Sequence, residues 1–249
     1  SARYRNKRSC RVVLPIMQPN VIITGATKGI GRAIAERFAP HSAQLALVAR
    51  SSSGLEATKS ELKAAAPNCD VQLYPCDLSE KPQVKHLVEQ LSAQSNNWQV
   101  LVNNAGLYLP GELLTEPDEA LEQMMRLNLF APYYLAKGLS PLLAGKRHIF
   151  NLASVASRRV YPGKSSYSIT KFAMQALNDA LRMELKEPGV RVTAVLPGPT
   201  WSATWEGADV PEDRLLQAAA VAEAVWNTYA LPANAVVEEL VVQPQLGDL

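Results

Sequence analysis

Seven short apolar runs rich in β-branched residues, separated by stretches with helical patterning, limit the folds open to this chain. They are Val21 to Thr24, Gln44 to Ala49, Val71 to Tyr74, Val100 to Asn103, His148 to Ala153, Arg191 to Leu196 and Glu239 to Val242. Strands alternating with helices are joined by crossovers, which make strands parallel and lay helices on the sheet. The expected fold is therefore α/β and doubly wound, with a mainly parallel seven-stranded sheet and helices on both faces. Proline and glycine stops give the helices Gly29 to Ala39, Gly54 to Ala66, Pro82 to Gln94 and Ser166 to Glu187. The last carries Ile169, Phe172, Ala173, Ala176, Leu177, Ala180, Leu181 and Leu185 at helical spacing. On it, Tyr167 and Lys171 fall away from the centre of the stripe.

No Pro/Gly/Ser-rich linker or repeat divides the 249 residues, and one domain is expected over 17–249. Net charge is +2, but Arg3, Arg5, Lys7, Arg8 and Arg11 place +5 in residues 1–16, leaving 20 basic against 23 acidic residues in the remainder. That distribution gives no basic surface for nucleic acid. The leader has no acidic residue and too short an apolar run for a signal peptide. It reads as an extension outside the fold ahead of Met17, with an Arg-rich targeting segment as the alternative. No stretch approaches a membrane span. Cys10, Cys69 and Cys76 form no metal pattern and fit reduced thiols in a cytoplasmic protein, and His41, His86 and His148 lie far apart in sequence.

Two motifs carry chemistry. Thr24-Gly25-Ala26-Thr27-Lys28-Gly29-Ile30-Gly31 lies where the first strand turns into the first helix, where glycines allow a tight bend and close approach of a phosphate to free N–H groups. Tyr167 and Lys171 stand four apart in Ser-Tyr-Ser-Ile-Thr-Lys, on one helix face, where the ammonium can favour the phenolate. A phenol lowered toward neutrality is an acid for a carbonyl oxygen or a base for an alcohol.

With these motifs in this order, the chain resembles a short-chain dehydrogenase/reductase of the compact single-domain branch, from Met17 to the C-terminus. The resemblance implies a Rossmann-like fold. It matches the glycine turn at Gly25, Thr27, Lys28, Gly29, Ile30 and Gly31, an adenine-contacting Asp77 beside Leu78, and Asn103-Asn104-Ala105-Gly106. It also matches Asn128, Ser154, Tyr167 and Lys171 as catalytic residues, and Pro197, Gly198 and Thr200 beyond the sixth strand as cofactor contacts. Duller readings stand beside these: Asp77 as a turn former, Asn104 as a capping group, Asn128 as a back-bonding helix residue and Ser154 as loop chemistry. In the family, Tyr167 is the acid/base, Ser154 holds the substrate oxygen, Lys171 tunes the tyrosine and holds the nicotinamide ribose, and Asn128 positions a relay water.

The second strand ends in Arg50-Ser51-Ser52 with no acid, and Lys28 adds a second cation, so NADP(H) is expected ahead of NAD(H). The substrate would lie over Leu107 to Leu109, Val155 to Tyr161 and the segment 199–209, the last a lid bearing Trp201 and Trp205. Arg158-Arg159 offers charge for an anionic substrate, or is solvated surface. Ser202 stands where the family has a threonine, and the C-terminus lacks the Gly-Gly of many acyl-carrier-protein reductases. A small hydroxy acid, a 3-oxoacyl compound or another carbonyl compound is the expected substrate. A non-catalytic dinucleotide sensor is the alternative, and longer epimerase-like relatives have different glycine spacing. Family pairing of the helices around Leu121 to Leu143 and Ser166 to Glu187 implies a homodimer or homotetramer.

Overall fold

The computed structural model describes residues 18–95, 97–143, 147–201 and 210–247. The leader 1–16, Ser202 and Trp205 lie outside the described residues. Strands β1 (Asn20–Thr24), β2 (Gln44–Ala49), β3 (Asp70–Pro75), β4 (Val100–Asn103), β5 (Arg147–Leu152), β6 (Val190–Pro197) and β7 (Glu239–Val242) form one parallel sheet in the order β3-β2-β1-β4-β5-β6-β7. Every strand begins and ends within one residue of its expected limits. Between them run α1 (Gly29–Phe38), α2 (Ser52–Ala65), α3 (Lys81–Gln94), α4 (Glu119–Met125), α5 (Ala131–Leu139), α6 (Ser165–Leu185) and α7 (Ala218–Ala230).

The period-2 alternation of the strands divides the core. Val21, Ile23, Leu45, Leu47, Val100 and Val102 pack with Ile34 and Phe38 of α1 and Val221 and Val225 of α7. Ile22, Ala46, Val48, Leu101, Ile149 and Val192 face the other way, against Val84, Leu87 and Leu91 of α3 and Leu135 and Leu139 of α5. Each such aliphatic side chain contributes about 1.5–3 kcal/mol by leaving water. Chain order reverses between β1 and β4, so the sheet splays helices apart beyond the C-terminal ends of those two strands and leaves a crevice.

Helix α6 presents a polar face to the core. Its inward face is Ser166, Ser168, Thr170, Lys171, Met174 and Asn178, all buried. Part of the apolar stripe faces outward: Ile169 is 41% exposed and Phe172 43%, and Ala176 and Ala180 are exposed too, while Leu177, Leu181 and Leu185 pack on the core; Met183, off the stripe, is 67% exposed. The inward face is polar because the core there is a chain of amides, Asn103 Nδ2 donating to Asn151 Oδ1 (2.9 Å) and Asn151 Nδ2 to Asn178 Oδ1 (3.0 Å). Buried polar groups are tolerated where they find partners like these.

Candidate active site

The crevice has a glycine-built side and a tyrosine-built side. Gly25 (φ +65°) and Gly29 (φ +55°) adopt the left-handed backbone that L side chains avoid. A Cβ on Gly31 would lie 2.3 Å from both the Gly25 carbonyl oxygen and Asn104 Nδ2, so helix α1 starts in direct contact with the turn only because residue 31 is glycine. A Cβ on Gly29 would meet nothing within 4 Å, which leaves open space over the turn. The Lys28 side chain caps nothing and the first turn of α1 holds no acid. N–H groups at a helix start, open space and no competing carboxylate suit a phosphate-bearing ligand.

Thr24 ties this turn to the end of β4, a role not apparent in the sequence. Its Oγ1 donates to the Val102 carbonyl (3.2 Å) and accepts from the N–H groups of Asn104 (2.9 Å) and Ala105 (3.0 Å). Asn104 Nδ2 returns hydrogen bonds to the carbonyls of Thr24 (2.9 Å) and Gly25 (3.2 Å). The duller reading of Asn104 as a capping group thus describes its side chain, which donates to the carbonyls at the end of β1.

At the outer edge, Arg50 and Lys28 are exposed, and Ser51 caps α2 by accepting the Gly54 N–H (3.0 Å). Asp77 Oδ1 accepts from Ser79 N–H (2.9 Å) and Oγ–H (2.7 Å); these bonds, and the charge of Arg50, hold its carboxyl below the usual range. Leu78 is buried beside it. Thr27 and Ile30 are half-buried in the turn. Gly106 is in the crevice, where an added Cβ would sit 3.4 Å from Asn128 Oδ1 and 4.0 Å from Lys171 Nζ. Gly198, after Pro197, donates to the Val242 carbonyl (2.8 Å), and Thr200 Oγ1 donates to the Gly198 carbonyl (3.0 Å).

On the other side, Ser154 follows β5 and caps a short 3-10 turn over 155–157, its Oγ accepting from Ala156 N–H (3.1 Å). The same hydroxyl lies beside the Tyr167 phenol and draws its pKa down. Lys171, 6% exposed, donates from Nζ to the Leu152 carbonyl (2.8 Å) and stands 5.6 Å from the centre of the Tyr167 ring. The Tyr108 ring meets the Tyr167 ring edge-on at 5.1 Å.

Burial disfavours both charged forms here. It pushes the Tyr167 phenol up to about 12, with the Ser154 hydrogen bond pulling it down and Tyr108 raising it further. It draws the Lys171 ammonium down to about 8. The expected lowering of the tyrosine is therefore not present in the protein by itself, because the loss of water outweighs the pull of Ser154.

Asn128 has no exposure and sits in a π-helical turn, Arg126–Phe130, joining α4 to α5. Its Oδ1 accepts the Leu107 N–H (2.7 Å), and its Nδ2 donates to the Leu107 carbonyl (2.9 Å) and Thr170 Oγ1 (3.0 Å). The side chain thus fixes a loop and the back of α6, and it is not directed to Lys171 by any of these bonds. Such wide turns recur at functional sites. Of the two arginines after Ser154, Arg158 forms an ion pair with Glu239, while Arg159 lies over the Tyr161 ring at 4.7 Å.

A family model described as short chain dehydrogenase matches residues 19–212. The sepiapterin reductase of Chlorobaculum tepidum is 30% identical over 250 residues, covering 94% of this chain and 99% of that protein. Among solved structures, an alcohol dehydrogenase from the archaeon Thermococcus sibiricus complexed with 5-hydroxy-NADP is 28% identical with a TM-score of 0.85, covering 92% of this chain and 97% of that one. A metagenomic short-chain oxidoreductase in complex with NADP, also 28% identical, has a TM-score of 0.80 and covers 92% and 99%.

Proposed function

The chain belongs to the short-chain dehydrogenase family of oxidoreductases, and from that premise we propose that it interconverts a carbonyl compound and a secondary alcohol using NADP(H). The observation that carries this reading is Ser154 beside the Tyr167 phenol, with the Lys171 ammonium buried 5.6 Å from the Tyr167 ring, facing a glycine turn across one crevice. The residues present fit a nicotinamide dinucleotide: the turn from Gly25 to Gly31 for its pyrophosphate, Asp77 and Leu78 for its adenine, and Gly106, Lys171 and Gly198 toward its nicotinamide end. A nicotinamide dinucleotide held there would supply the hydride for the carbonyl carbon.

The chain's own groups handle the oxygen. Ser154 and Tyr167 both present hydroxyls to it, and negative charge builds there as the carbonyl is reduced. Donors already in place stabilise that charge more than they stabilise the neutral ground state. Tyr167 gives its proton to the oxygen, and the Lys171 ammonium stabilises the phenolate left behind. Asn128 acts on this centre by fixing the Leu107 loop and the back of α6, and the π-turn is where a relay water would be held.

Lys28 and Arg50, cationic and without an acid at the end of β2, support NADP(H) over NAD(H). Two relatives of 28% identity that carry NADP or a derivative point the same way. All four catalytic-motif residues being present favours an enzyme over a dinucleotide sensor. The substrate remains open among small hydroxy acids, 3-oxoacyl compounds and other carbonyls, and the relative named for sepiapterin adds that compound to those worth testing. The outward apolar residues of α6, with Phe130 (43% exposed) and Tyr133 (41%), support a homodimer or homotetramer. Cys69 and Cys76, free and buried, support a cytoplasmic location. Among the described residues no helix is long and apolar enough to cross a membrane.

The test is nicotinamide consumption against a panel of aldehydes, ketones, 3-oxo acids, 3-oxoacyl thioesters and sepiapterin, run with NADPH and with NADH. Turnover with NADPH well above NADH is expected. NADPH binding with no turnover of any carbonyl would revive the sensor.

A further inference from the structure

Tyr108 is the group at this site whose polar end has no assigned use. Its ring lies edge-on to Tyr167 at 5.1 Å, and its hydroxyl makes no hydrogen bond to another described residue. Half-buried tyrosines usually find a partner for the O–H, as Tyr74 does here by donating to Gln72 Oε1 at 3.0 Å.

The ring is also held firmly. Leu107, on one side, has its N–H and carbonyl both bound by the Asn128 amide (2.7 and 2.9 Å), and Leu109, on the other, donates to Met124 Sδ (3.4 Å). Beyond it Gly111 N–H donates to the Gly163 carbonyl (2.9 Å), Glu112 Oε1 accepts the Gly163 N–H (2.8 Å), and Glu116 accepts from the Ser166 hydroxyl. The strap 107–116 is thus anchored to the first turn of α6, the turn that carries Tyr167. An unused donor on a two-torsion side chain, fixed beside the proton donor, is preorganised to bind something.

With Ser154 and Tyr167 committed to the reacting oxygen, the next acceptor within reach of Tyr108 belongs to the neighbouring carbon. Oxygens on adjacent carbons are separated by about a hydrogen-bond length, and the Tyr108 and Tyr167 rings are in edge contact at 5.1 Å. We propose that the Tyr108 hydroxyl donates to an oxygen on the carbon next to the reacting carbonyl. The enzyme then prefers α-hydroxy carbonyl and 1,2-dicarbonyl compounds to simple ketones. This rests on the carbonyl-reductase reading of the same site. Burial raises the Tyr108 phenol, which keeps it a protonated donor through the neutral range. A site that binds a substrate oxygen discriminates strongly against the analogue lacking it.

The test compares kcat/KM with NADPH for 3-hydroxybutan-2-one and its shape-matched analogue 3-methylbutan-2-one, in the wild-type protein and in Tyr108→Phe. The wild type should prefer the hydroxyketone by tenfold or more. Tyr108→Phe should cut that preference to within threefold, chiefly by loss on the hydroxyketone, with NADPH Kd, read by fluorescence, unmoved. An unchanged preference in Tyr108→Phe, no preference in the wild type, or turnover of other carbonyls in the panel but of neither compound overturns the assignment to Tyr108 while leaving the reductase reading intact. No NADPH consumption with any carbonyl overturns both.

Discussion

Lys171 shows how burial sets the working range of one residue. Its ammonium, drawn down to about 8, is charged below that pH and neutral above it. Since the charged form stabilises the phenolate, kcat/KM for carbonyl reduction should be level near pH 7 and fall as pH rises through about 8. Lys171→Met should lower the plateau by about 100-fold, within the usual range for proton-transfer groups, and abolish that limb. An unchanged limb in Lys171→Met would assign it elsewhere. Arg50 acts at the far end of the crevice. Arg50→Ala should raise KM for NADPH about tenfold, as loss of one charge-assisted contact does, and leave KM for NADH nearly unchanged. Steady-state titration of both cofactors reads this directly, and equal effects would remove Arg50 from cofactor choice. At this scale the types and order of Ser154, Tyr167 and Lys171 were legible in the sequence. The direction of the tyrosine shift was not, because it depends on how much water the fold removes, and neither was the contact of Tyr108 with a residue 59 positions away.

Among the elements, strands were legible because each apolar run is bounded by turn residues, and β1, β2 and β4 alternate cleanly between the two core layers. Helix α7 gave no expectation: it is Ala-rich and apolar without a narrow stripe, so periodicity does not single it out. Helix α6 was legible as a helix, but its apolar stripe divides: Leu177, Leu181 and Leu185 pack on the core while Ile169 and Phe172 face outward. Three asparagines from β4, β5 and α6 hydrogen-bond one another inside, which no local pattern reveals. The outward stripe then needs a cover, and a second copy of the same face is the economical one. Light scattering should find a dimer or tetramer, and Phe172→Glu should shift it to monomer. A monomeric wild type would leave the stripe unexplained.

Over the whole molecule, the reversal of strand order between β1 and β4 brings two distant stretches together. The glycine turn and Asn104 to Gly106 come from the sheet's centre, and Ser154 and α6 reach the same crevice from the next strand. Thr24 and the asparagine chain join these parts across β1, β4 and β5. The sequence displayed all the pieces in order, and the sheet topology accounts for their meeting. If that meeting is for hydride transfer, the label on the cofactor must reach the product. The most direct measurement uses NADPH deuterated at the transferring C4 position with a carbonyl substrate from the panel, and analyses the alcohol by mass spectrometry. One deuterium on the carbinol carbon is predicted for the wild type, with product formation reduced about 1,000-fold in Tyr167→Phe. Alcohol without deuterium, or undiminished product from Tyr167→Phe, would contradict the account.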